Sequence, residues 1–169
     1  ESYGFLCEDF VRDKDAVSAC AILAEIAAWA KDQGITMYQL LQNIYVQYGF
    51  SKEKGISVVK KGKSGAEEIE AMMKHFRENP LQEIAGSKVT LFYDYASLKG
   101  KDYVENETLT LDMPTTSNVL QYFTEDGTKV SIRPSGTEPK IKFYCEVHSK
   151  VKSLDELPAA EKAGAEKIE

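Results

Sequence analysis

The sequence has few of the residues that characterise several common protein classes. Its 169 residues include three cysteines, two histidines and one tryptophan. Cys7, Cys20 and Cys145 are odd in number, widely spaced and without a CxxC motif, which argues against a disulfide framework or a structural zinc site. Neither His75 nor His148 lies near a cluster with metal-ligand spacing. No apolar run approaches the roughly 18 residues of a membrane span.

An excess of positive charge is also lacking. The formal net charge is −6, so we expect neither nucleic acid nor an anionic membrane as a general partner. Arg12, Arg77 and Arg133 are the only arginines, and a planar guanidinium recognises anions such as phosphate better than lysine does. The hydrophobic content of 43% and charged content of 28% are those of a globular protein with one domain, or one small domain and part of another.

The chain begins at Glu1 rather than at methionine. We therefore expect a processed or cut piece of a longer protein. Reduced cysteines and the lack of a signal peptide predict a cytoplasmic location.

The first third of the sequence predicts two helices. Residues 16–30 are apolar almost all round, with Asp15 as N-cap and Gly34 as the stop. Such a helix is normally covered on most sides, so we expect its neighbours upstream of Glu1, the alternative being a central helix of this fold. A capping box of Thr36 and Gln39 begins the second helix. Its apolar stripe predicts core packing and consists of Met37, Leu40, Leu41, Ile44, Tyr45 and Tyr48.

After a domain boundary near residues 49–52, the remainder predicts a strand, a helix, four further strands and a final helix. Residues 99–117 are expected to be irregular, with a short extended piece at 108–111. The fold class is α+β, an antiparallel sheet with helices on one face. The first two predicted elements are a strand at 50–61 and a helix at 64–79 capped by Ser64 and Glu67. One further strand is predicted to begin at residue 88, and three more are predicted at 118–123, 128–133 and 140–147. The last predicted element is a helix capped by Ser153 and Glu156.

The segment between the last two predicted strands carries the chemistry, and it reads IRPSGTEPK over residues 132–140. Gly136 permits a turn and close approach of a ligand, and successive amides there can form an anion-binding nest. Ser135, Thr137 and Arg133 add two hydroxyls and a guanidinium suited to phosphate. The same composition is typical of a tight hairpin turn, so the residues alone leave both interpretations open. Neither a Walker motif nor a partner that would activate a serine nucleophile is present.

Two motifs of the sequence resemble one family. RPSGTEPKIKFY, from Arg133, resembles the phosphate-binding loop in the C-terminal domain of the α-D-phosphohexomutases, the phosphoglucomutase/phosphomannomutase superfamily. ESYG at Glu1, followed by FVRDKDAV from Phe10, resembles the end of that family's sugar-recognition loop and the next helix. The pair spans nearly the whole chain in the family's order, and its form is more similar to the phosphoglucomutase branch.

The resemblance implies a division into two domains. Residues 50–169 would form the fourth, phosphate-binding domain of the family, with a TATA-box-binding-protein-like sheet. Residues 1–49 would be the C-terminal piece of the third domain, namely the sugar-loop remnant and helices from the end of an α/β domain.

The resemblance also implies residue roles. Ser2 would contact sugar hydroxyls, and Lys14 matches an active-site lysine, although a solvated lysine beside a helix start is the alternative. Glu138 would shape the loop. Four residues would hold the non-reacting phosphate of the substrate: Arg133, Ser135, Gly136 and Thr137.

Two motifs of the family are absent: Thr-Ala-Ser-His-Asn-Pro, which carries the phosphorylated serine, and Asp-Gly-Asp-x-Asp-Arg, which binds Mg²⁺. The resemblance therefore implies no catalytic or metal-binding residue in this chain, with Mg²⁺ held by an upstream domain. The full-length enzyme would interconvert hexose 1-phosphate and hexose 6-phosphate through a phosphoserine and glucose 1,6-bisphosphate, whereas this chain alone would be inactive. The alternatives are a non-catalytic phosphosugar-binding module, a phosphopentomutase of the same superfamily, and a scaffold whose loop is only a turn.

Overall fold

The computed structural model describes Leu6 and residues 13–169. These residues form four helices, eight strands and one 3₁₀ turn. The helices are α1 Ala16–Asp32, α2 Met37–Tyr48, α3 Gly62–Glu78 and α4 Leu157–Ile168, the last preceded by the 3₁₀ turn Leu154–Glu156. The strands are β1 Phe50–Val59, β2 Glu83–Ile84, β3 Ser87–Asp94, β4 Lys99–Asp102, β5 Glu107–Thr110, β6 Leu120–Thr124, β7 Lys129–Pro134 and β8 Lys140–Ser149.

One antiparallel sheet organises the chain from residue 50 onward. Its strand order is β1-β8-β7-β6-β3-β4-β5, and β2 pairs with β3 outside this path. Ile141, in β8, pairs with Val58 of β1 and packs against the cluster that contains Ile69 and Met73 of α3. Further along β1 on this same face, Phe50 lies against Gly164 of α4. Both helices therefore cover one face, and the predicted fold class is confirmed.

The main core lies between α3 and the four central strands. Its buried residues are Ile69, Met73, Val89, Phe92, Leu120, Tyr122, Val130, Ile132 and Ile141. The Tyr122 hydroxyl donates to the carbonyl of Phe76 at 2.9 Å. Burial is the main cause that raises the pKa of Tyr122 to about 12. This hydrogen bond connects β6, the strand next to β7, to the C-terminal turn of α3.

The predicted helix starts of α1 and α2 are confirmed. Asp15 accepts the N–H groups of Val17 at 2.9 Å and Ser18 at 3.0 Å, and these bonds, chiefly that from Ser18, lower the pKa of the Asp15 carboxyl. Thr36 and Gln39 form the reciprocal capping box, with bonds of 2.8 Å and 3.1 Å between the backbone of each and the side chain of the other. Both caps join residues within one helical turn, so the local sequence is sufficient to predict them.

The prediction that the apolar stripe of α2 is core is wrong for most of its members. No residue of α2 is fully buried, and Tyr48 is 69% exposed. Tyr45, together with Val46, packs against the small cluster of Phe50, Val151 and Leu157. No described element covers the rest of the stripe. The helix α1 is similar, because Val17 and Trp29 are exposed and only Ala19 and Ala30 are buried.

Three further details differ from the sequence prediction. β4 is a strand paired with β5, although residues 99–102 lack the alternating pattern that would have identified it. α3 begins at Gly62 with no side-chain cap, so the predicted box of Ser64 and Glu67 does not form. Ser153 makes no capping bond, and Glu156 instead accepts the N–H of Lys152 at 2.8 Å.

None of the helices within residues 13–169 is both long and apolar enough to cross a membrane.

Candidate functional site

The RPSGTEPK segment forms the connection between β7 and β8. The two strands stay paired up to Pro134 and Ile141. The N–H of Ser135 then donates to the carbonyl of Lys140 at 2.7 Å, and the N–H of Lys140 donates to the carbonyl of Glu138 at 2.7 Å. The loop over residues 135–139 is therefore anchored at both ends to central strands of the sheet.

A second anchor comes from the segment that links β1 to α3. The N–H of Lys60 donates to the carbonyl of Pro139 at 2.8 Å. The proline has no N–H of its own, and its carbonyl is taken by this bond. The C-terminal side of the loop is thus fixed from outside the hairpin, which limits the entropy that it would lose on binding.

Two successive amides of the loop point toward one position. The hydroxyl oxygen of Ser135 accepts the N–H of Thr137 at 3.4 Å and the N–H of Glu138 at 3.3 Å. Converging amides of this kind form a nest that can bind an anion. Both bonds are long for N–H···O contacts.

Gly136 contributes open space rather than an unusual backbone conformation. Its φ is not in the left-handed region, so the turn itself does not require glycine. A Cβ built there would meet nothing within 4 Å. The backbone of Gly136 therefore presents no side chain to a ligand that approaches the loop.

The charged groups of the loop face one hollow. Arg133, at the end of β7, is exposed. The ammonium of Lys140 donates to the carboxylate of Glu138 at 2.7 Å, and this contact is the main cause that lowers the pKa of the Glu138 carboxyl. Arg133, Ser135, Gly136 and Thr137, the four predicted phosphate-binding residues, all line this hollow of about 520 Å³. Lys142 and Tyr144 form part of its wall.

Of the other two predicted site residues, the structure describes only Lys14. Lys14 is exposed beside Asp15, before α1, and is not among the residues that line the space at the loop. Ser2 lies outside the described residues. Their roles therefore stay predictions from the resemblance.

Sequence reasoning missed a larger groove on the face of the sheet opposite the helices. It has a volume of about 670 Å³, and its lining residues include Gln121, Ser131, Arg133 and Tyr144. The alternation along β6, β7 and β8 indicates that these residues share a face. Their assembly into one groove depends on the strand order, which the alternation does not provide.

The acidic, histidine and cysteine side chains of residues 13–169 do not gather at any candidate metal site. No group of three such residues in this part of the chain could hold an ion. Cys20 and Cys145 are free thiols, and burial is the main cause that raises the pKa of Cys145.

Comparison with known proteins gives one family. The family model described as "Phosphoglucomutase/phosphomannomutase, C-terminal domain" matches residues 57–163. A phosphoglucomutase of Staphylococcus aureus (strain MRSA252) is 42% identical over 144 residues, which cover 85% of this chain and 26% of that protein. The phosphoglucomutase of Staphylococcus haemolyticus (strain JCSC1435) is 38% identical over 144 residues, with the same coverage.

One further relative covers more of this chain, and one solved structure is also similar. A phosphoglucomutase of Staphylococcus aureus (strain MSSA476) is 40% identical over 157 residues, or 93% of this chain and 28% of that protein. The open form of parafusin, a phosphoglucomutase from Paramecium, covers 94% of this chain and 27% of its own at 19% identity and a TM-score of 0.45. The chain spans about a quarter of the length of these relatives.

Proposed function

Since the chain belongs to the phosphoglucomutase/phosphomannomutase family, through the match of residues 57–163 to the C-terminal domain, we propose that its β7–β8 loop holds a phosphate group of a hexose phosphate. The phosphate in question is the one that does not react. Four residues carry this role: Arg133, Ser135, Gly136 and Thr137.

The convergence of the Thr137 and Glu138 amides on Ser135 Oγ is the observation that supports this role most directly. A phosphate oxygen placed there would accept both N–H groups, and Ser135, released from them, would donate its own hydroxyl. The Thr137 hydroxyl and the Arg133 guanidinium line the same hollow. Hydrogen bonds to an ionised phosphate are shorter and stronger than neutral ones, so the exchange is favourable.

The donors of the loop recognise a phosphate and not the atom that carries it. The same loop can therefore hold the 6-phosphate when carbon 1 reacts and the 1-phosphate when carbon 6 reacts. A mutase needs a loop that binds either phosphate if its intermediate, glucose 1,6-bisphosphate, turns around between two phosphoryl transfers, one from and one to a phosphoserine. Fixing the distant phosphate also positions the reacting end, which is a large part of phosphoryl-transfer catalysis.

The reacting groups of this enzyme would lie outside the chain. The sequence lacks the phosphoserine and magnesium motifs of the family, and residues 13–169 offer no cluster for a metal. We therefore place the serine and Mg²⁺ in the remaining domains of a longer, cytoplasmic phosphoglucomutase or phosphomannomutase. The 169-residue chain alone is expected to be inactive.

The exposed apolar surface of α1 and α2 supports the proposed division at residue 49. Trp29 is 52% exposed and Tyr48 is 69% exposed, which is unusual for large apolar residues on adjacent helices. We assign residues 1–49 to the end of the third domain, whose remaining elements would cover this surface. Residues 50–169 would form the fourth domain.

A coupled phosphoglucomutase assay tests the proposal on the longer protein and on the 169-residue chain. We expect turnover of glucose 1-phosphate by the longer protein and none by the chain. In the longer protein, Arg133→Ala should lower kcat/KM by roughly 10- to 150-fold, the loss for one hydrogen bond to a charged group. The exposed Lys99→Ala on β4 is the matched control and should have no effect. Unchanged kinetics for Arg133→Ala would contradict the proposed role of the loop.

A further inference from the structure

The short link between β1 and α3 holds the β7–β8 loop from outside its own hairpin. β1 ends at Val59 and α3 begins at Gly62, so the link consists of Lys60 and Lys61. The N–H of Lys60 donates to the carbonyl of Pro139 at 2.8 Å. The position of the Lys60 backbone therefore bears directly on the position of the loop.

A buried glycine in the first turn of α3 lies against this link. A Cβ built on Gly65 would be 2.7 Å from the Cβ of Lys60 and 2.9 Å from its carbonyl carbon. Neither of these atoms is the movable end of a side chain. Any residue with a Cβ at position 65 would therefore force the backbone of the link, or the helix itself, to shift.

The conformation of Gly65 does not by itself require glycine. Its φ is not in the left-handed region, and its N–H donates to the carbonyl of Lys61 at 3.3 Å as part of the first helical turn. Glycine inside a helix is less favourable than alanine, because it loses more conformational freedom on folding. The close approach of the helix to Lys60 is thus the feature that glycine serves here.

The side chain of Lys60 fixes the link to α3 a second time. Its ammonium forms an ion pair with the carboxylate of Glu68 at 2.8 Å. Glu68 is three residues beyond Gly65, so the two lie on the same side of the helix. Lys60 is therefore held through its backbone at Pro139 and through its side chain at α3.

The first two turns of α3 also border the loop directly. Ala66 and Ile69 line a recess of about 330 Å³ together with loop residues 135–139. A side chain at position 65 could be accommodated by movement of Lys60, which would disturb its bond to Pro139. It could otherwise be accommodated by movement of α3, which would displace one wall of the recess. Both adjustments change the surroundings of the loop.

The anchored carbonyl is next to one of the amides that converge in the loop. The N–H of Glu138, immediately before Pro139, is one of the two donors to Ser135. A loop that is ordered before binding loses less entropy when it takes up a ligand. We propose that Gly65 is a positioning residue for the β7–β8 loop: the absence of a side chain lets Lys60 reach Pro139 and preorganise the phosphate-binding amides. This inference rests on the proposed function of the loop.

Calorimetric titration of the 169-residue chain with methyl phosphate tests the positioning role. Gly65→Ala should weaken binding by about two- to tenfold, the cost of ordering a loop that is no longer held in place. Gly164→Ala is the matched control, because an added Cβ in α4 would be 3.1 Å from the Phe50 ring and 3.2 Å from the Lys52 Cβ, at the opposite end of β1. This control should bind methyl phosphate as tightly as the native chain.

Hydrogen exchange of the Lys60 amide gives a readout that affinity alone does not. In the native chain this N–H should exchange slowly, and saturating methyl phosphate should slow its exchange further, because the occupied loop opens less often. In Gly65→Ala it should exchange faster than in the native chain and in Gly164→Ala.

Each contrary outcome has a separate meaning. Unchanged affinity in Gly65→Ala, or an equal loss in Gly164→Ala, would overturn the positioning role and leave the phosphate-binding role of the loop intact. Failure of methyl phosphate to bind the native chain would overturn the proposed function, and the positioning role with it. If Gly65→Ala does not fold, the native chain decides the matter: a Lys60 amide that exchanges like an unprotected one, or that methyl phosphate does not slow, would overturn the role.

Discussion

The two faces of the central sheet contain alternate residues of the same strands, yet they differ in cover and in chemistry. On the face packed against α3, Leu120, Ile132 and Ile141 are at most 1% exposed. On the opposite face, Gln121 is only partly buried and Arg133 is exposed. Adjacent positions in one strand thus belong either to the core or to the candidate site. A substitution on the covered face should change stability, and one on the open side should change binding.

Truncation on the covered face gives the largest expected effect. Ile141→Ala removes a fully buried side chain beneath α3 and should lower the free energy of unfolding by about 2–5 kcal/mol through lost burial and the resulting cavity. Urea denaturation of the 169-residue chain measures the change. Ser57→Ala, at an exposed position of β1, should stay within about 0.5 kcal/mol. A similar small loss for Ile141→Ala would contradict the distinction between the faces.

Removal of the guanidinium at the loop should affect binding and not stability. Arg133→Ala is expected to weaken methyl phosphate binding by about 1.5–3 kcal/mol, the value of a hydrogen bond to a charged group. Titration calorimetry gives the affinity, and the unfolding midpoint in urea should match that of the native chain. Loss of stability without loss of affinity would place Arg133 with the structural residues instead.

A buried hydroxyl on the covered face makes stability depend on alkaline pH. Because the pKa of Tyr122 is raised to about 12 in the folded chain, its contribution is complete below the unfolded value near 10 and is lost as the pH rises toward 12. Tyr122→Phe should cost about 0.5–1.5 kcal/mol at neutral pH, since it removes the bond to the Phe76 carbonyl. Urea unfolding at pH 8 and pH 11 should show a smaller alkaline loss for the variant. An equal loss in both proteins would assign the pH dependence to other groups.

The smallest predicted effect concerns the ion pair within the loop. The carboxylate of Glu138 forms an ion pair with the ammonium of Lys140 at 2.7 Å. In the ligand-free loop, this carboxylate therefore competes with a ligand for a cation that faces the hollow. Glu138→Gln should therefore strengthen methyl phosphate binding by about two- to fivefold, the range for an exposed ion pair. Glu105→Gln, an exposed carboxylate between β4 and β5, is the matched control.

A double-variant test separates the ion pair from a general effect of charge. If Glu138 acts by holding Lys140, the gain from Glu138→Gln should disappear in a Lys140→Met background. A gain that persists there would show that only the lost negative charge matters.

Local signals in the sequence predicted the parts of the fold that depend on neighbours in the chain. The cap at Asp15 and the box of Thr36 and Gln39 are examples, because donor and acceptor are at most three residues apart. The candidate phosphate site could be predicted from the sequence for the same reason. Arg133 and Thr137 belong to one short segment, so their proximity needs no knowledge of the tertiary structure.

Features that depend on distant parts of the chain could not be predicted in this way. The stripe on α2 has a helical period, but the period does not show whether another element covers it. β4 is a strand because it pairs with both β3 and β5, and its sequence KGKD has no alternating pattern. The groove requires that β6, β7, β8 and β1 lie side by side in one register, which sequence alternation does not specify.

The central claim is that the β7–β8 loop is a phosphate site, and the amides that now bond to Ser135 report on it most directly. The measurement is a titration of methyl phosphate into the isotope-labelled 169-residue chain, followed through the N–H resonances of Thr137 and Glu138. Both resonances should shift in a saturable manner in the native chain, with a much weaker response in Arg133→Ala. Resonances that do not move at saturating ester in the native chain would contradict the account.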